Sequence, residues 1–86
     1  MLERRVVVAI KEGLHARPAA LFARLAADQP FAITIRKVDG LPVQASSILS
    51  IMTLGVRLGD EVLLATEDLA AASSLDSLAT FLTTVG

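Results

Sequence analysis

The chain has 86 residues, 53% of them apolar, with no cysteine and a single histidine. That length holds one domain of roughly 100 residues, and the composition excludes disulfides, thiolate nucleophiles and any metal site built on several histidines of one chain. Eight basic against nine acidic side chains, no Trp, no Tyr and three Phe leave neither the cationic footprint nor the stacking platforms of a nucleic-acid binder.

The longest apolar run, Val6-Val7-Val8-Ala9-Ile10, is far short of the ~20 residues that span a bilayer. Arg4 and Arg5 precede it, but it is also too short for the apolar part of a secretory signal, about 7–15 residues. The expectation is no membrane insertion and a cytoplasmic protein. The run is β-branched and reads as a strand that ends at Gly13. From Ala16 to about Asp28 the pattern is helical, with Ala19, Phe22, Leu25 and Ala26 on one face. Pro18 falls in the first turn, where a missing N–H costs nothing, and Pro30 prevents continuation.

Phe31, Ile33 and Ile35 alternate with Ala32, Thr34 and Arg36, as in a strand with one wet face. Asp39-Gly40 is a turn signal, and Leu41 to Ala45 returns as the partner strand. In Ser46-Ser47-Ile48-Leu49-Ser50-Ile51-Met52-Thr53-Leu54-Gly55 a serine at the start and the glycine at the end bracket a short helix of about two turns. Glu61 to Thr66 reads as a further strand. A last helix is expected to start near Glu67 and Asp68, acids suited to a helix N-terminus, with Leu75, Leu78, Leu82 and Val85 recurring along it. There is no internal repeat and no linker, so residues 1–86 read as a single domain. The order β-α-β-β-α-β-α predicts an α+β fold. Its core is a four-stranded, largely antiparallel sheet with helices on one face, the other face being partly open to water.

Glu12-Gly13-Leu14-His15-Ala16-Arg17-Pro18-Ala19-Ala20 is the chemically informative stretch. It places a histidine just before a helix whose first N–H groups are unpaired and favour an anion. Arg17 adds a guanidinium fork for phosphate oxygens, and Gly13 permits a turn that a β-carbon would obstruct. An imidazole beside such a site can attack a phosphoryl group and hold it as phosphohistidine. A helix-capping histidine with a solvated arginine is the plainer reading of the same residues.

Gly13-Leu14-His15-Ala16-Arg17-Pro18-Ala19 resembles the active-site signature of the HPr family, the histidine-containing phosphocarriers of the bacterial phosphoenolpyruvate:sugar phosphotransferase system. Ser47-Ile48-Leu49-Ser50-Ile51-Met52-Thr53-Leu54-Gly55 resembles that family's regulatory-serine helix. The resemblance covers essentially the whole chain and implies an HPr-like open-faced β-sandwich. It implies that His15 accepts a phosphoryl group on Nδ1 from enzyme I and passes it to a sugar-specific enzyme IIA. Arg17 would stabilise the phosphate, with Gly13, Ala16 and Pro18 shaping the site. Such a protein is a covalent carrier rather than a free-standing enzyme, and it needs no metal or cofactor of its own.

Anchoring on Thr53-Leu54-Gly55 puts Ser47, not its neighbour Ser46, at the regulatory position; a simple helix cap explains the same residue. The matching partner surface is Ala20, Arg24, Ile48, Leu49 and Met52. Two further readings follow from the resemblance. One is a regulatory HPr-like protein acting through Ser47, with an HPr kinase/phosphorylase or a regulator as partner. The other is a carrier in a nitrogen-related or dihydroxyacetone-kinase phosphorelay. A monomer is expected. The sequence departs from the common pattern at Glu12, where many relatives have Ser or Asn, and at Ala27 and Ser50, where many have Lys. The last two leave the partner surface less basic, which weakens steering toward acidic partners.

Overall fold

Period-two alternation and three amphipathic stretches resolve into seven elements over residues 1–84, the part of the chain described by a computed structural model. They are β1 (Leu2–Val7), α1 (Ala16–Ala27), β2 (Thr34–Lys37), β3 (Val43–Gln44), α2 (Ile48–Leu54), β4 (Glu61–Thr66) and α3 (Ala72–Thr83). The strands form one sheet in the order β1-β4-β2-β3, with every neighbouring pair antiparallel. This is the expected α+β order with its open sheet.

β4 is the central strand. Its Val62, Leu64 and Thr66 are buried and stand opposite Val6, Arg4 and Leu2 of β1. Ile35 of β2 lies opposite Leu64 from the other side. On this face the three helices close the core, with Phe22 of α1, Ile51 of α2 and Leu75, Leu78 and Leu82 of α3 fully buried. The Phe22 and Phe81 rings meet at 5.8 Å and 51°, the tilted geometry that aromatic quadrupoles favour. The opposite face carries Glu3, Arg5, Thr34 and Arg36, exposed or half-buried as the alternation predicts. Leu63 on that face is nevertheless buried, with Arg5 and Arg36 opposite it from the two neighbouring strands. Within α1, Ala23 takes the core position expected of Leu25, which is half-buried.

Several boundaries differ from the sequence reading. β1 starts at Leu2 and ends at Val7, not at Ile10. It is an edge strand with charged residues on it, and the apolar run expected to form it overlaps only its end. Val8 and Ile10 are buried beyond the strand, where the Val8 N–H donates to the Asp60 carbonyl and the Ala9 N–H to the Leu82 carbonyl, each at 2.9 Å. The first two residues of the run are paired, and Val8 and Ile10 mark burial rather than ladder pairing. β2 and β3 are shorter than expected, and the Gly40 N–H closes their turn on the Lys37 carbonyl at 3.0 Å.

α3 starts at Ala72 rather than near Glu67. Thr66 Oγ1 accepts from the Asp68 N–H at 3.3 Å, and Asp68 Oδ1 from the Ala70 N–H at 2.8 Å. An aspartate that bonds its own downstream backbone competes with helix formation, so the acids form a turn before the helix. Val85 lies outside the described residues.

Asp60 ties the turn before β4 to β2. Its Oδ2 accepts from the Arg57 N–H at 2.9 Å and pairs with Lys37 Nζ at 3.3 Å. The backbone bond first, and then the lysine, hold its carboxyl below the ordinary value of 3.8. A pKa lowered by folding stabilises the protein above the unfolded carboxylate value of about 3.9, and that stabilisation is lost as pH falls through the folded value. Asp60→Asn is thus expected to melt below the wild type at pH 6, with the gap narrowing as the pH falls below the ordinary carboxylate value. Thermal melts across that range check it, and a gap independent of pH contradicts the assignment.

Candidate functional site

The turn between β1 and α1 is built around Gly13. Its φ is +67°, and a β-carbon there would lie 2.3 Å from the Val56 carbonyl oxygen and 2.8 Å from Arg57 Cα. Both obstacles are backbone, so only glycine fits. The Gly13 N–H donates to the Ile10 carbonyl at 2.9 Å, and the Leu14 N–H to the Val56 carbonyl at 3.0 Å. The Leu14 side chain is buried beneath. The turn is thereby pinned to the loop that follows α2.

His15 comes next, at the N-cap of α1, with extended backbone (φ −147°, ψ 147°) and no capping hydrogen bond from its side chain. The usual caps are Ser, Thr, Asp or Asn, which satisfy one of the free N–H groups. Here the imidazole stays exposed, and the first N–H groups of the helix remain directed at whatever anion approaches. Ala16 has φ +50°, the left-handed region, in a residue with a β-carbon. Such a conformation costs about 1–2 kcal/mol and persists because the pinned turn and the helix on either side fix it. Nothing in the sequence announced it. Arg17 is exposed on the first turn. Pro18, third in the helix, lacks one of the N–H groups that a helix start leaves unbonded in any case.

Gly13, His15, Ala16, Arg17 and Pro18 thus gather at one helix entrance. Beside it lies a cleft of about 320 Å³ that Glu12, Arg17 and Pro18 line together with Ile10, Leu21 and Phe81. Leu21, about half exposed, was missed by sequence reasoning; its position beside the core residue Phe22 gave no sign of which way it faced.

α2 packs against α1. Its N-cap is Ser47, whose Oγ accepts from the Ser50 N–H at 3.4 Å and lies 3.0 Å from Ser50 Oγ. Gly55 ends the helix in the left-handed conformation at φ +65°. Ser47→Ala is expected to cost about 1 kcal/mol; a thermal melt matching the wild type would show that the long cap bond contributes nothing. Ile48 and Met52 are 39% and 44% exposed and Leu49 is 74% exposed, while Ile51 on the inner side is fully buried. Ala20 and Arg24 are exposed on α1. The five residues expected to form a partner surface therefore all reach solvent, on two helices that touch.

The family model for the PTS HPr component phosphorylation site matches residues 2–84. The chain belongs to the HPr family. The phosphocarrier protein HPr of Streptomyces coelicolor is 47% identical over 79 residues, which is 92% of this chain and 85% of that protein. The HPr-like protein Crh of Halalkalibacterium halodurans is 39% identical, over 95% of this chain and 96% of that one. Among solved structures, a phosphocarrier protein HPr from Bacillus anthracis superposes with a TM-score of 0.88 at 41% identity, covering 94% of this chain and 95% of that chain. HPr-family phosphocarriers work with the enzymes of the phosphotransferase system. Among the described residues no helix is long and apolar enough to cross a membrane.

Proposed function

We propose that this chain is a cytoplasmic, monomeric, single-domain phosphocarrier that takes a phosphoryl group from enzyme I on His15 and hands it to an enzyme IIA. The observation that carries this reading is the exposed, uncapped imidazole at the start of α1 with Arg17 two residues on. In the loading step the Nδ1 lone pair attacks phosphorus. The new N–P bond forms as the bond to the donor's nitrogen breaks, and the donor keeps that electron pair. The free N–H groups of α1 and the Arg17 guanidinium neutralise the phosphoryl oxygens. Transfer to enzyme IIA is the same displacement with the roles exchanged. Both steps need an imidazole that two partners can reach in turn, which suits an exposed side chain rather than a buried one.

Incubation with enzyme I, phosphoenolpyruvate and Mg²⁺, followed by intact-mass measurement, tests this. One phosphate should be gained and then lost on acid treatment. No gain, or a gain that survives acid, sinks the assignment. Arg17→Ala is expected to slow transfer about 10- to 100-fold, the worth of one charge-assisted hydrogen bond, with the melting temperature unchanged. An unaltered transfer rate removes Arg17 from the mechanism.

The similarity to the HPr-like Crh proteins, one of them the catabolite repression HPr of Bacillus subtilis, favours a second, regulatory reading; for it we take Ser47, the N-cap of α2, as the phosphorylated residue and a kinase or regulator as the partner. A phosphate there would add about −1.5 to −2 charge beside Ile48, Leu49 and Met52, opposing partner docking without unfolding α2. An acid-stable phosphate that disappears in Ser47→Ala supports it. The presence of both His15 and Arg17 favours the carrier reading, since regulation through the serine needs neither. Transfer assays against the acceptors of nitrogen-related and dihydroxyacetone-kinase relays separate those variants of the carrier role.

A further inference from the structure

β1 is an edge strand of six residues, whereas the other edge, β3, has two. Val8 shows which way the backbone of β1 faces. Its N–H donates to the Asp60 carbonyl at 2.9 Å and its carbonyl accepts from the Gly59 N–H at 2.8 Å, both on the β4 side. Backbone groups alternate along an antiparallel strand, so Leu2, Arg4 and Val6 face β4 as well, and Glu3, Arg5 and Val7 direct theirs outward. The Ala9 N–H, next in that outward row, is taken by the Leu82 carbonyl. Among the described residues, no bond from a loop or from α3 reaches the three before it. Beside them an open cleft of about 370 Å³, lined by Arg4, Val7, Asp76, Thr80 and Thr83 among others, gives an incoming strand room next to α3.

A free edge of this length is a template for another strand, and charges on it usually discourage pairing. Here the charges select a register instead. A two-fold antiparallel pairing of β1 with a second β1 joins outward-facing residues to outward-facing residues. Two such registers set Glu3 or Arg5 against itself, and like charges directly opposite are destabilising. The register between them puts Glu3 opposite Arg5 of the second copy, twice over, and brings Met1 beside Val7. Arg5, already paired with Glu61 at 2.9 Å, then lies between two carboxylates. Met1 and Val7 are 67% and 57% exposed, so the same register takes apolar side chains out of water. On the inner face Leu2 meets Val6, and Arg4 meets itself with its charge answered by Asp76 in each copy.

We infer that the outer edge of β1 is a self-association surface, on which two copies join strand to strand in this register and their four-stranded sheets become one. Two short strands bury well under the ~1,600 Å² of a standard stable interface, so the carrier is monomeric at micromolar concentration and pairs at roughly 0.1–1 mM. His15, Arg17, Ala20, Arg24 and α2 contribute nothing to the edge, and pairing leaves the phosphoryl site free.

Sedimentation equilibrium of the full chain from micromolar to millimolar concentration is expected to show a reversible monomer–dimer step. Glu3→Arg and Arg5→Glu each set like charges opposite one another twice and should weaken the step about tenfold or more. The double variant, in which opposite signs meet again, should restore it. Glu3 takes part in none of the ion pairs among the described residues, so Glu3→Arg carries the comparison if loss of the Glu61 contact disturbs the fold of Arg5→Glu. A wild type that stays monomeric throughout overturns the inference. So does a Glu3→Arg chain that pairs as well as the wild type, since another contact, such as exchange of β1 between copies, then holds the dimer. A folded double variant as weak as the single ones overturns it too. In the wild type the N–H resonances of Glu3, Arg5 and Val7 are expected to shift with concentration; shifts centred on α2 would put the contact on the partner surface and overturn the inference.

Discussion

A His15→Ala chain is expected to take up no acid-labile phosphate from enzyme I. The chain has no second histidine and no cysteine, so no other imidazole or thiolate can stand in. Phosphate on a hydroxyl such as Ser47 would be an ester that survives the acid treatment. The substitution should leave the fold intact. His15 is exposed and, although it occupies the N-cap position, makes no capping bond; exposed substitutions that remove neither a capping bond nor a core contact fall within about ±0.5 kcal/mol. An unchanged melting temperature with complete loss of labile phosphate is therefore the signature. Labile phosphate remaining on the variant would place the nucleophile elsewhere.

The largest effect on stability is expected at Gly13. Alanine there must hold a left-handed φ, at about 1–2 kcal/mol. It must also force its β-carbon past the Val56 carbonyl oxygen and Arg57 Cα, which lie 2.3 and 2.8 Å from the ideal position. Overpacking of this kind costs a further 1–3 kcal/mol. The two terms together give about 2–5 kcal/mol; at the mid-range of about 3 kcal/mol a protein of this size loses roughly 12–24 °C of melting temperature. Gly55→Ala is the control. That glycine has nearly the same φ, +65°, but nothing within 4 Å of a β-carbon, so only the backbone term of about 1–2 kcal/mol applies. Equal losses at the two positions would show that the contact with Val56 is soft. In Gly13→Ala the strain falls between the loop after α2 and His15, so transfer should slow in the fraction that remains folded.

The elements that could be read from the sequence are those whose ends carry their own chemistry. Pro18 announces the start of α1, and Ser47 and Gly55 bracket α2 to the residue. The acids at Glu67 and Asp68 imitate a helix start, but Asp68 spends its carboxylate on the Ala70 N–H and delays α3 to Ala72. Such a bond depends on a conformation that a residue type does not specify. β1 is displaced because only Val6 and Val7 of the most apolar run are paired; Val8 and Ile10 are buried beyond the end of the ladder. The φ of Ala16 has no signal at all, since alanine is at home in any helix. The cleft joins Ile10, Glu12, Arg17 and Leu21 to Phe81, some sixty residues further along the chain. Only the packing of α1 and α3 brings them together, and no local pattern encodes it.

The central place of β4 governs the order in which the molecule can be assembled on the ribosome. β1 and β2 each find their main partner in residues 61–66. Until those emerge, the available ladder is the β2–β3 hairpin with two residue pairs, and an isolated hairpin is marginal in water. A lone helix the length of α1 is no better. The signature around His15 is synthesised early, yet Val56 must arrive to brace its turn, and the leucines of α3 must arrive to close the core. A nascent or truncated chain therefore displays the whole motif without the shaped site. Shaping of the helix entrance is coupled to the arrival of the later strand and helix.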